Sequence, residues 1–512
     1  MEGNSMLRPY EPPEFSPLDQ AIFDALVRRD HWVRRAEESI DFLQLRESIE
    51  GYYRADFGCP GIEPVLMIKL ELIMYHDQLS DSQLWRRSET DLAYRWFLGL
   101  SRDEHLPDKS TLSRFRGRIG DVGFGKLFHA LLAQARQYGL VRDRLRIKDA
   151  THVVADIAVP AGLTLVAQAR NRLLQAAQPF DDERVAGERV KIETIRTSTD
   201  SRADDVRLLA RIEHLRDILA WTDALAPPDA TSNPTWQSLE KAREIARKTL
   251  AGHDHPKAPD KLRSVSDPDA RRGRHGDFYD GYMLDVMIDA DSELVTAVNV
   301  LRASGNESAD TVTLVKQETS AHQNTIEQLS IDGAGFDGPV LRTLEDDHDI
   351  DVFVPPKQAS PTDRFGPEDF EVSEDGSHVT CPAGQESKYR QRDEPNHGTS
   401  YRFDKMVCDA CPLVAQCLNR TQKHGRTVRI NDYTPEYTRV RERAQTTEYV
   451  AVKQEHPRVE RRLGHLVNRY GNRRARYRGL SRVLSQQLMG AFTHNVDRMI
   501  HLLDTRAELA LE

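Results

Sequence analysis

The sequence predicts an α/β chain: a mixed sheet at its core, an all-α segment ahead of it, and two insertions, one helical and one cysteine-rich. Three observations predict this class. Apolar residues fall at helical spacing through the first 140 residues. Short alternating or β-branched runs begin only near residue 143 and recur as far as residue 354. Four of the five cysteines gather between residues 381 and 417, in a stretch dense in Pro, Gly, Asp and Ser. At 512 residues the chain exceeds one core and divides into several domains.

Residues 1–140 form the helical domain, with apolar stripes over Gln20 to Arg28, Ile62 to Gln78 and Ser82 to Leu98. A short basic helix follows at Pro107-Asp-Lys-Ser-Thr-Leu-Ser-Arg-Phe-Arg-Gly-Arg118. Asp108 caps it, Leu112, Phe115 and Ile119 make its buried stripe, and Arg114 and Arg118 share its outer face. Two helices followed by a short basic one fit a helix-turn-helix that contacts DNA; they fit equally a bundle with a solvated arginine face. Cys59 stands apart from the other cysteines and is expected as a small buried side chain.

The sheet core is assigned to residues 141–160 and 266–356, with a helical insertion over 161–265 between them. In the insertion, one stripe runs through Leu208, Leu209, Ile212, Leu215, Ile218 and Leu219 and closes at Pro227-Pro228. A second runs through Leu239, Ala242, Ile245 and Leu250 and ends near Gly252. Together they read as an antiparallel helical hairpin. Within the core, Leu145 to Val154, Tyr282 to Ile288 and Leu294 to Leu301 are strands, the last two joined by the turn Asp289-Ala-Asp-Ser-Glu293. Thr311 to Gln323 is a helix, Glu327 to Ile331 a strand, Pro339 to Glu345 a helix and Asp351 to Val354 a strand stopped by Pro355-Pro356. That order, closed by helices in 431–512, is the order of a ribonuclease-H-like mixed sheet.

The second insertion, 357–430, holds Cys381 and the run Cys408-Asp-Ala-Cys411-Pro-Leu-Val-Ala-Gln-Cys417. A C-x2-C pair with two further cysteines suits a closed four-thiolate zinc site. So little apolar material in a segment of this length points to a metal that it needs for folding. The alternative is a set of reduced, partly buried thiols.

The chain opens with no basic-then-apolar leader pattern, and no apolar run approaches the ~20 residues that span a bilayer, so a cytoplasmic protein is expected. Net charge of −10 weighs mildly against a nucleic-acid partner, but its distribution weighs the other way. Nine arginines lie between Arg458 and Arg482, Arg461, Arg469, Arg473 and Arg474 among them, around one acid, Glu460. A carboxylate among arginines fits a site where the acid holds metal and the cations meet phosphate. Two further acids sit at edges of core elements: Asp149 within the first strand and Asp332 at a strand end, followed by Gly333. Asp156, Asp337 and Glu455 are their nearest competitors; periodicity does not separate Asp149 from Asp156. Converging carboxylates of this kind hold a pair of Mg²⁺ ions roughly 3.5–4 Å apart for displacement at phosphorus.

Motifs along nearly the whole chain resemble those of DDE transposases of bacterial and archaeal insertion sequences. They are Pro64-Val-Leu-Met-Ile-Lys-Leu, Leu79-Ser-Asp-Ser-Gln-Leu and Pro107 to Arg116 in the helical region. In the core they are Lys148-Asp-Ala-Thr, Ser266-Asp-Pro-Asp-Ala-Arg271, Gly281-Tyr282 and Asp332-Gly-Ala-Gly-Phe-Asp337. Later come Cys381-Pro-Ala-Gly, Cys408-x2-Cys411-Pro, Val459-Glu-Arg-Arg-Leu-Gly464, Arg476-Tyr-Arg-Gly-Leu480 and Asn495-Val-Asp-Arg498.

The resemblance implies Asp149, Asp332 and Glu460 as catalytic ligands of two Mg²⁺ (or Mn²⁺), cleavage at the ends of an element, and joining of the freed 3′-hydroxyl to target DNA. It implies double-stranded DNA as partner and a homodimer on paired ends. Arg114, Arg118, Arg458, Arg461, Arg469, Arg473 and Arg474 become the DNA contacts. The chain departs from the family pattern at Ala150, at Gly333 to Phe336, at Lys453 and His456 where Tyr and Arg are usual, and at Val467 where Lys is usual. Two other functions remain on the sequence alone: a metal-dependent nuclease without strand transfer, and a catalytically decayed zinc-containing DNA-binding protein.

Overall fold

A computed structural model of the chain describes residues 7, 10–53, 62–227, 233–258, 260–357, 364–418 and 423–510; Cys59 and Pro228 lie outside them. The N-terminal region is helical as expected: α1 (Pro17–Leu26), α2 (Trp32–Ser39), α3 (Phe42–Ile49), α4 (Pro64–His76), α5 (Asp81–Thr90), α6 (Leu92–Leu98) and α7 (Ser110–Gln137). The expected single helix over 82–98 is two, because Asp91 leaves helical geometry to accept the N–H groups of Ala93 and Tyr94 and cap α6. The basic segment does not stop at Arg118. It continues to Gln137 through a kink at Gly120, whose φ of 56° a side chain tolerates poorly.

The sheet follows: β1 (Leu145–Val154), then after the insertion β2 (Arg271–His275), β3 (Asp277–Asp289), β4 (Val295–Arg302), β5 (Gln328–Ser330) and β6 (Asp351–Phe353). β4, β3 and β1 run antiparallel, and β1, β5 and β6 run parallel, which is the mixed order expected. β2 was missed: its Arg-Arg-Gly-Arg-His carries no β-branched residue, and only pairing with the start of β3 makes it a strand.

The insertion is a correction. It is a bundle of four helices, α8 (Gly162–Ala177), α9 (Asp182–Thr199), α10 (Asp204–Asp223) and α11 (Pro234–Asp254), where two were expected. Leu173, Leu174, Leu215, Ile218, Leu239 and Ile245 are buried together at its centre. The two expected stripes need a further apolar surface, and Val166, Ala169 and Leu173 of α8 supply it.

α12 (Glu307–His322) and α13 (Gly338–Arg342) cover one face of the sheet, and a small cysteine-rich unit interrupts the chain before the C-terminal helices. That unit has strands β7 (Glu371–Val372), β8 (Val379–Thr380), β9 (Tyr389–Asp393), β10 (Gly398–Arg402) and β11 (Thr427–Asn431), with short helices α14 (Lys405–Asp409) and α15 (Val414–Cys417). The chain closes with α16 (Thr434–Arg443), α17 (Thr447–Glu455), α18 (Pro457–Arg469) and the long α19 (Leu480–Leu509).

One apolar core joins the N-terminal helices, the inner face of β1, β3 and β4, and α18 and α19, through Leu70, Leu131, Ile147, Val286, Leu463, Phe492 and Val496. The helical region is therefore part of the same packed body as the sheet. Among the described residues no helix is long and apolar enough to cross a membrane.

Candidate active site

Asp149 sits in mid-β1 opposite Val286 of β3. Ile147 pairs with Ser330 in the parallel β1–β5 ladder, so the chain leaving β5 carries Asp332 to the level of Asp149. There Asp332 caps a short turn by accepting the N–H of Ala334 at 3.0 Å. The third acid is Glu307, the first residue of α12, which begins just after β4 ends at Arg302. Ligand oxygens of Asp149, Glu307 and Asp332 all lie within 4.8 Å of one another, and all three residues are half-buried. Among the described residues no other three His, Cys, Asp or Glu side chains come so close.

Carboxylates this close repel one another. Burial first, then the Asp332 and Glu307 carboxylates, push the Asp149 carboxyl up to about 6 against the pull of the Ala150 N–H. Part of the compensation is built in. Lys148 reaches Glu307 at 2.8 Å and Asp285 at 3.1 Å beneath the cluster. Asp285 is itself fully buried, and burial holds its carboxyl well above the usual range. Lys453 of α17 donates to Ser330 Oγ (3.2 Å) and to the Ile331 carbonyl (2.6 Å), and His456 Nδ1 lies 3.0 Å from the same hydroxyl. Burial lowers Lys453 to about 8, and the Asp332 carboxylate beside it opposes that shift. The two positions where this chain departs from the usual Tyr and Arg therefore stand directly beside Asp332.

Of the three expected carboxylates, the structure brings Asp149 and Asp332 together. Glu460 is not in the group; it is exposed on the first turn of α18 with no ion pair or hydrogen bond among the described residues. It follows His456 by four residues and so shares that residue's side of the helix. Glu307 was missed because the helix was expected to start at Thr311. Its start signal, Asn306 accepting the N–H of Ala309, lies upstream of the apolar stripe. Of the competitors, Asp156 is exposed near Arg478, Asp337 caps α13, and Glu455 pairs with Arg144 and Arg458.

The expected cations are distributed unevenly. Arg458 also donates to the Ala290 carbonyl, Arg461 and Arg462 hold Glu293 at the β3–β4 turn, and Arg469 lies 3.5 Å from Asp497. Arg473 donates to the Thr151 hydroxyl and the His152 carbonyl. Arg474 is exposed beside Val154 at the carboxyl end of β1, with no carboxylate partner among the described residues. Arg114 is exposed, and Arg118 stacks over Tyr53.

Cys381, Cys408, Cys411 and Cys417 line one small cavity of about 30 Å³ with Phe403, Leu418 and Arg426. Three of the sulfurs accept backbone N–H groups: Cys381 from Gln385 (3.4 Å), Cys411 from Leu413 (3.4 Å) and Cys408 from Arg426 (3.5 Å).

Two family models match the chain. A transposase domain (DUF772) matches residues 21–118, and a transposase DDE domain matches residues 380–500. Both matches support a DDE transposase of an insertion sequence. The second match takes in the four cysteines and Glu460, while the acidic cluster lies between the two matched regions. The chain is also 27% identical over 179 residues to an uncharacterized protein, ORF8 in the nfe locus of Rhizobium meliloti, covering 34% of this chain and 86% of that one. No solved structure matches it.

Proposed function

We propose that this transposase cleaves DNA at the ends of its element and joins the freed 3′-hydroxyl to target DNA, with Asp149, Glu307 and Asp332 holding the divalent cations, Mg²⁺ or Mn²⁺. The observation that carries this reading is the approach of three carboxylates within 4.8 Å at the meeting of β1, β5 and α12. Bound there, such ions supply an activated water and charge stabilisation at phosphorus. The chain's own groups do the rest. Asp149 is fixed by its strand, Asp332 by its turn and Glu307 by Lys148. Arg474 offers a free cation to phosphate at the rim, and Arg114 and Arg118 a second basic patch for the element's terminus. Glu460, unpartnered on the His456 side of α18, is the remaining acidic candidate for the chemical step. Paired ends call for two copies of the chain.

Cleavage and strand transfer on the DNA flanking this reading frame, with Mg²⁺, test the reading. Asp149→Ala and Asp332→Ala are expected to lose at least about a thousandfold in rate, the scale of removing charge stabilisation from a transition state. Glu307→Gln is expected to weaken Mn²⁺ binding to the free protein, and Glu460→Gln to leave that binding intact while abolishing cleavage. Wild type as inert as Asp149→Ala would sink the enzyme, and cleavage without joined product would leave a nuclease.

We also propose that the four cysteines hold a structural Zn²⁺. The N–H groups aimed at three sulfurs support thiolate character there, since such donors stabilise sulfur that carries charge.

A further inference from the structure

The hairpin of β2 and β3 projects past the carboxyl end of β1, and its base is tightly held. Arg271 is buried against Asp260 and the Pro268 and Ala270 carbonyls. Gly281 lies against the Val153 carbonyl, where any side chain would collide. Gly273 lets the Tyr279 ring cross it, for an added Cβ would meet that ring at 2.7 Å. The tip turns at Gly276, with φ of 71°.

Alternation along the two strands divides the tip into unlike faces. Tyr279 and His275 both pack on His152, with ring centroids 5.0 and 5.1 Å away, and burial first, then the Glu307 carboxylate, raise the Tyr279 phenol. The opposite face carries Arg272, Arg274 and Phe278, with Asp280 3.4 Å from Arg272 at its inner end. Phe278 is 69% exposed, with the two guanidinium groups 5.8 and 5.7 Å from its ring. Arg274 has no carboxylate partner among the described residues. An apolar ring held out in water between two cations, on a rigid support, has no packing role in the described structure.

We propose that this face is a DNA contact, with Phe278 stacking on a base flanking the cleavage site and Arg272 and Arg274 meeting the adjoining phosphates. The inference rests on the transposase reading. Phe278 lies eight residues along β3 from Val286, the partner of Asp149. At about 3.3 Å per residue that is at most roughly 26 Å, less than one turn of duplex at ~34 Å. DNA seated on the carboxylates therefore runs within reach of the tip, and Arg474 lies at the same end of β1, across that strand from β3. Aromatic rings stack on any base, and interleaved cations track the backbone.

Binding is read by anisotropy on a fluorescein-labelled forked duplex taken from the flanking sequence, with 2-aminopurine placed near the expected cleavage position, for wild type, Phe278→Ala and Arg272→Ala/Arg274→Ala. Phe278→Ala is expected to weaken binding about five- to hundredfold and to abolish the 2-aminopurine response. The double variant is expected to lower the salt slope of log affinity by about 1 to 2. Circular dichroism and Mn²⁺ binding should match wild type for both. Unchanged affinity and fluorescence while wild type still cuts overturns the hairpin alone, and a shift in sedimentation without loss of DNA affinity overturns it in favour of a protein contact. Wild type that neither cuts nor binds overturns the transposase reading beneath it.

Discussion

Arg146 has no exposed surface, yet the sequence shows it only as one of many arginines in a strand-like run. It reaches Glu318 of α12 at 2.7 Å, Asp289 at the end of β3 at 2.8 Å and Asp143 at 2.7 Å, and Arg136 of α7 also reaches Glu318 at 2.7 Å. Burial pushes the Glu318 carboxyl up, but Arg146 outweighs it and the group is held down at about 2. A carboxyl lowered on folding stabilises above its unfolded value near 4.5, and that contribution is lost as pH falls from there toward 2. Urea midpoints of wild type should therefore drop across that window. Glu318→Gln should be less stable near neutrality and show a shallower drop, because its side chain no longer titrates. Removing one partner of a buried charge group costs about 3–5 kcal/mol, so Arg146→Met should unfold far more readily than Arg114→Met.

At the scale of elements, the tail motif Asn495-Val-Asp-Arg498 turns out to be structural. β4 pairs only with β3, so its other edge would leave backbone groups unsatisfied. Asn495 of α19 meets that edge from both sides, accepting from Val295 N–H at 2.9 Å and donating to the Val295 carbonyl at 2.8 Å. Arg498 donates to the Ser292 carbonyl, and Asp497 accepts from Tyr470 Oη at 2.6 Å. Asn495→Ala should lower stability by about 2–4 kcal/mol, read from urea unfolding, since it strands two buried backbone groups. Asn495→Asp should cost at least as much, because an acid cannot donate to the carbonyl. The cysteine-rich unit predicts a different response. Among the described residues its buried apolar cluster holds Phe370, Val379, Tyr401, Phe403 and Val428, little for a segment of its length. Purified protein should carry one zinc per chain by elemental analysis, and Cys408→Ser/Cys411→Ser should lose both the metal and protease resistance between residues 364 and 431.

For the whole molecule, one continuous core means that the helical region and the sheet fold together. α19 packs on α7, α4, α2 and β4, so the last helix ties the first domain to the sheet. A fragment of residues 10–140 should be largely unfolded or aggregated, because Leu127, Leu131 and Phe128 of α7 would lose the surface that α19 covers. In the full chain, hydrogen exchange should protect the core amides of the N-terminal helices and the sheet to one common opening free energy. The α8–α11 bundle, with a separate core of its own, should unfold independently.

The sequence by itself determined the class of fold, the order of the sheet's strands and helices apart from β2, both interruptions, and two of the three clustered acids. Hydrophobic period, turn residues and the Asp332-Gly333 strand end are local signals, and local signals survive in a linear reading. Only the tertiary structure decided that Glu307 stands beside Asp149 while Glu460 stays exposed, because proximity between residues 158 positions apart depends on how α12 is docked against the sheet. It alone decided that β2 is a strand, that four helices rather than two fill the insertion, and that the N-terminal region shares its core with the sheet. In each case the stabilising partner lies far along the chain, and no periodicity within the element itself carries that information.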